Sequence, residues 1–245
     1  MTLSEKTWKN YIAKLRKVND KAAELMEKYL SAHDVSTREG RKAMLDYAYS
    51  IATRYGEGTA ELACQMYDMM ADASGAPLSP AEPAQTATYG EVARAVQGEM
   101  LRTDNNEQIA AAIGRLVKLA GADTTLNNAL RDGAEFAWIP SGDTCPYCLM
   151  LASRGWQRAS RNAIKNGHAE HIHANCDCSY QIRFNPDTKV SGYDPDKLRE
   201  QYEAGGSTQS ERINALRRQL YSENSAKINA QKREAYRRRK ESENV

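Results

Sequence analysis

The grouping of the cysteines restricts this chain more than any other feature. Four of the five, Cys145, Cys148, Cys176 and Cys178, fall within the 34 residues 145–178. They stand in "TCPYC" (144–148) and "HANCDC" (173–178). The pattern is C-x2-C, 24 intervening residues, then H-x2-C-x-C. Zinc takes four thiolate or imidazole ligands in a tetrahedron, about 2.0–2.3 Å from the ion, and a C-x2-C at a turn or helix start reaches one ion readily. A second knuckle at a strand start would close the site. Cys145 and Cys148 supply two ligands. His173, Cys176 and Cys178 offer three more where two are required, and the spacing leaves open which one is spare. Such a clip would hold together a segment whose own apolar core is small.

Other readings of the cluster compete with this one. A redox C-x-x-C leaves the H-x2-C-x-C unexplained and lacks the βαβ pattern around it. A catalytic zinc or a nuclease of the His–metal type needs an open coordination position and a nearby base. His168, His171 and Asp177 are of the right type, but nothing singles them out. In the blandest reading, reduced cysteines simply pack. The spacing favours the structural zinc clip. Cys64, alone in a helical pattern, reads as a small buried hydrophobe. The N-terminus "MTLSEKTWKNYIAKLRK" has no apolar core with a cleavage site, so no secretory signal is expected. No apolar run is long enough to cross a bilayer. Thiols kept in a reducing cytoplasm argue against a disulfide framework.

The first 134 residues read as helical. Ser4 caps a helix over 4–31, with Trp8, Ile12, Leu15, Val18, Leu25 and Tyr29 at roughly helical spacing. Ser36 with Glu39 reads as a capping box for a second helix from near Thr37 to about Ala73, weakened at Gly56 and Gly58. Its Tyr and Met content fits a bundle core better than a partner-binding face. "SGAPLSPAEPAQ" is a loop or hinge. A third helix covers about 87–101. Asp104 with Glu107 caps a fourth over 105–120, which Gly121 interrupts, and Asp123 starts another stretch to about Gly133. No carboxylate pair reads as catalytic, and no glycine run has the Lys-Ser/Thr of a phosphate loop.

The texture changes at 135. "EFAWIP" reads as a strand, and Thr144 caps a short helix with Pro146 in its first turn. "CSYQIRF" alternates Tyr180, Ile182 and Phe184 with Gln181 and Arg183, as a half-buried strand does. Asp194-Pro195 opens a helix to about Ala204. A last helix, about 209–241, carries Ile213, Leu216 and Leu220 on one face. From 205 onward ten Lys and Arg stand against five Glu, most densely in "KREAYRRRKE". The overall reading is mainly α with a small α+β module. A helical region spans 1–134, a zinc-knuckle-type module 135–204, and a basic C-terminal helix 205–245.

The stretch "DTCPYC…LASRG…HIHANCDCSYQIRF" followed by "GYDPD" (192–196) resembles the C-terminal module of phage head-morphogenesis, or minor head, proteins of the Mu F-like family. It is especially similar to minor capsid proteins of tailed phages of Gram-positive hosts. The resemblance covers about 135–204. Ala174 stands where the family commonly has proline. By this resemblance Cys145, Cys148, His173, Cys176 and Cys178 occupy the family's cluster positions. It implies a non-enzymatic protein of the virion, made in the host cytoplasm. Such proteins bind the portal protein, the major capsid protein or both, at the portal vertex or capsid interior. No membrane association is implied.

The net charge of +2 says nothing about partners, but its distribution does. The basic tail is suited to contact DNA phosphates. The plainer reading is a solvated helix end, with cations favoured by the helix dipole. Two alternatives to the head protein therefore stand: a zinc-dependent nucleic-acid enzyme of nuclease or toxin type, and a free DNA-binding protein.

Overall fold

The computed structural model describes residues 4–140, 145–165, 178–188, 190 and 192–243. Its order is α1 (Glu5–Ala32), α2 (Arg38–Ser74), α3 (Tyr89–Met100), α4 (Asn106–Asp132), β1 (Glu135–Ile139), α5 (Pro146–Ala152), β2 (Gln157–Arg158), α6 (Arg161–Lys165), β3 (Ser179–Arg183), α7 (Pro195–Glu203) and α8 (Gln209–Glu243). The chain is mainly helical, with one small antiparallel sheet in the order β2-β1-β3.

Each long helix of the bundle starts at a side-chain cap that takes up a backbone N–H the helix itself cannot satisfy. Ser4 accepts from Thr7 N, as the sequence predicts. The second helix is capped by Thr37 rather than Ser36, because the Asp34 carboxylate takes the Ser36 N–H at 2.8 Å. The third has a full capping box, Thr88 with Glu91. Asn105, not Asp104, caps the fourth.

Gly121 does not interrupt that fourth helix; α4 runs unbroken from 106 to 132. The glycine serves a close approach instead. A Cβ there would lie 3.1 Å from the Thr59 carbonyl oxygen of α2. Across the same contact, Thr59 Oγ1 donates to the Val117 carbonyl at 2.6 Å. Gly56 likewise leaves room for Thr86 and Ala120. Small residues thus let α2 and α4 pack backbone against backbone, and this tertiary gain outweighs their poor helix propensity. The second helix also runs unbroken through Gly56 and Gly58.

Two cores result. One lies among α1, α2, α3 and α4, around Met26, Met44, Ile51, Val92, Val96, Ile113 and Val117. The other takes the opposite ends of α1, α2 and α4 and fills them with the sheet and α5, around Tyr11, Tyr67, Leu126, Phe136, Trp138, Leu151, Tyr180 and Ile182. Full burial of side chains this size stabilises by roughly 1.5–3 kcal/mol each. Residues on both sides of position 134 share this second core. Met44, Met66, Tyr67 and Met70 are buried, as a bundle core requires, while Tyr49 and Met69 reach solvent.

Residues 76–88 form a strap tied across the bundle. Ala81 N donates to Asp68, Glu82 N to Asn128 and Ala84 N to Thr124. The Asn128 amide returns a bond to the Glu82 carbonyl, and Arg131 donates to the Ser79 and Pro80 carbonyls. Thr124 and Asn128 are buried, so the strap and α4 satisfy each other's polar groups.

Candidate metal centre

The sheet determines where the cysteine segments meet. β1 and β3 pair antiparallel with Ile139 opposite Ser179, Trp138 opposite Tyr180 and Phe136 opposite Ile182. The chain therefore leaves β1 toward Cys145 at the same end of the sheet at which it enters β3 from Cys178. Trp138 and Tyr180 stack edge to face at 4.3 Å, which fixes that end. With Tyr11 and Leu15 of α1 they wall a small recess that Cys178 also lines.

Cys145 holds the N-cap position of α5, and Pro146 follows at the first helical position. Its Sγ accepts from the Cys148 N–H at 3.4 Å. The turn also brings Cys148 Sγ to 3.4 Å from Cys145 Sγ. That separation is well beyond a disulfide bond of about 2.0 Å. It is close to the edge of about 3.8 Å that two thiolates share on a tetrahedral zinc. Cys145 is half-buried, whereas Cys148 and Cys178 are buried, and all three belong to the second core or pack against it. The donors present fit zinc: soft thiolates, two already at bite distance, with a backbone N–H on one sulfur.

His173 and Cys176 lie outside the described residues, as do His168, His171 and Asp177, and the cap of α5 is Cys145 rather than the expected Thr144. Among the described residues, no three His, Cys, Asp or Glu side chains converge on a metal position. Cys64 is remote from the cluster in sequence, in the middle of α2. Burial pushes its thiol up to about 11, which keeps it protonated, as a packing residue should be.

The rest of the module braces α5 and the opposite end of the sheet, where Glu135 pairs with Arg183, and its parts are the stretches that carried the resemblance. In "LASRG", Gly155 has φ 70° and sits where a Cβ would lie 3.4 Å from Pro195 of "GYDPD". Tyr193 of the latter donates its hydroxyl to the Ala152 carbonyl at 2.8 Å, and burial raises its phenol to about 12. Arg183 of "YQIRF" binds Glu135 at 2.6 Å and lies 4.6 Å over the Trp156 ring. Gln181 is buried rather than solvent-facing, and α5 packs against the neighbouring strand β1. Neither the Tyr193 contact nor the two-residue β2 is visible in the sequence; the turn glycine Gly155 is the only local signal of either.

A separate cleft of about 370 Å³ lies between the strap, α3 and α4, lined by Arg94, Arg115, Leu119 and Asp123 among others. Burial, reinforced by the nearby Glu91 carboxylate, raises Asp123 to about 6.

Fold and site together define a mainly helical protein whose small sheet is capped by a cysteine turn. A family model described as "VG15 protein" matches residues 2–205, through both the bundle and the module. The chain belongs to that family, which is one of viral (phage) proteins. No curated protein and no solved structure matches it. No helix among the described residues is long and apolar enough to cross a membrane.

Proposed function

We propose that this chain is a minor head protein of a tailed phage, acting in head morphogenesis by binding rather than by catalysis. It docks on the portal protein, the major capsid protein or both, and becomes part of the virion at the portal vertex or capsid interior. The observation that carries this reading is the phage-family match, which runs across 2–205 and so includes the cysteine-bearing module. The bundle with its strap supplies a rigid body for such docking. When bound, a structural zinc would tie the segment after β1 to the segment before β3. Cys145 and Cys148, with two of His173, Cys176 and Cys178, would hold it.

The experiment is co-expression of the tagged chain with the portal and major capsid proteins of its phage, followed by protein analysis of purified heads. The reading expects the chain in purified heads at low copy and in complexes with at least one of the two proteins. Absence from both heads and complexes contradicts it. A metal-dependent nuclease activity abolished by His168→Ala or Asp177→Ala, in protein that stays folded, would replace it with the enzymatic alternative.

A further inference from the structure

The family match ends at residue 205 and leaves α8 outside it. The first part of this helix is seated on α5 and α7. Leu216 is buried, and Arg212 Nε donates to the Gly206 carbonyl at 2.8 Å. Glu211 accepts from the N–H groups of Ser207 and Thr208. Past Ser225 every described side chain is exposed. At 1.5 Å per residue, the stretch from there to Glu243 is about 27 Å of helix, none of whose described side chains is packed.

Charge is segregated onto this arm. Residues 227–240 hold seven Lys and Arg against the single Glu234, a net of +6, whereas the whole chain has +2. The remainder is therefore at −4. On α1, by contrast, part of the positive charge is paired along the helix, Lys9 with Glu5 and Lys21 and Lys28 with Glu24. Lys232, Arg233 and Arg237 form no salt bridge among the described residues. A projecting rod with this excess of cations matches one kind of partner best: a uniform line of phosphates.

We propose that the distal half of α8 is a sequence-independent binding arm for double-stranded DNA. Duplex DNA carries one negative charge per roughly 1.7 Å of axis, and a cationic helix releases its condensed counterions. The major groove of B-DNA, about 12 Å wide, admits an α-helix, whereas that of duplex RNA is too narrow. Lysine and arginine contacts to phosphates position a protein without reading sequence. This binding goes beyond the head-protein reading and does not depend on it.

The test is fluorescence anisotropy of the purified full chain with two labelled DNA duplexes of about 30 base pairs and unrelated sequence, from about 50 to about 200 mM salt. Six neutralised phosphates give a slope of log affinity against log salt of about −5, a loss of roughly a thousandfold over that range. The combined variant Lys232→Gln, Arg233→Gln, Arg237→Gln alters only exposed arm residues and should bring the slope to about −2.7. Its helicity, checked by circular dichroism, should match the parent. The inference is overturned by any of four results: no binding at the lowest salt, an unchanged slope in the variant, a roughly tenfold preference between the two duplexes, or duplex RNA bound at least as tightly as DNA.

Discussion

Thr59 donates its hydroxyl to the carbonyl of Val117 at 2.6 Å, joining the middle of α2 to α4 where Gly121 lets the two backbones meet. Thr59→Val keeps the shape and removes the bond, and should cost about 1–2 kcal/mol. Gly121→Ala gains about 1 kcal/mol of helix propensity but forces a methyl to 3.1 Å from the Thr59 carbonyl oxygen. Overpacking of this kind costs about 1–3 kcal/mol, so the net effect is a loss. Gly58→Ala meets nothing within 4 Å and should stabilise by up to about 1 kcal/mol. Urea midpoints of the three variants check the opposite signs.

The same glycine shows what the sequence can and cannot reveal. Long helices are legible because apolar residues repeat at the helical period, and α1, α7 and α8 fall within two residues of their expected ends. Gly121 reads as a break because local propensity carries no record of a neighbouring backbone 58 or more residues away. Caps slip by one residue where two candidates adjoin, as at Ser36 and Thr37, since a third residue, Asp34, decides between them. The strap reads as a hinge because its partners, Thr124 and Asn128, look like ordinary helix residues. At the site, the cysteine spacing is plain in the sequence itself. That Cys145, Cys148 and Cys178 stand toward one end of the sheet follows only from the β1–β3 register.

Tyr193→Phe removes the hydrogen bond that holds the "GYDPD" turn to the C-terminus of α5. It should lower stability by about 1 kcal/mol. Hydrogen exchange should quicken locally in α7 and in the turn at Gly155, while α2 and α4 keep their protection.

Asp123 is an acid whose folded pKa, about 6, stands above the ordinary 3.8. The folded protein therefore holds this proton more tightly than the unfolded chain does. Stability falls as pH rises from about 4 to about 6, and the penalty is full by about pH 7.5. Asp123→Asn removes it, at most about 2–3 kcal/mol. Its urea midpoint should exceed the parent's at about pH 7.5 and approach it at about pH 4. A variant whose advantage over the parent is no larger at the higher pH would contradict this.

Metal content tests most directly whether "TCPYC", with Cys145 and Cys148, and "HANCDC", with His173, Cys176 and Cys178, form one zinc clip. Plasma mass spectrometry of untagged, reduced, folded protein should find about one zinc per chain. Cys145→Ser and Cys148→Ser should lose the metal and lower the stability of the module, while Cys64→Ser keeps it. Fewer than about 0.2 equivalents in folded wild-type protein, or full retention in both Cys145→Ser and Cys148→Ser, would contradict the account.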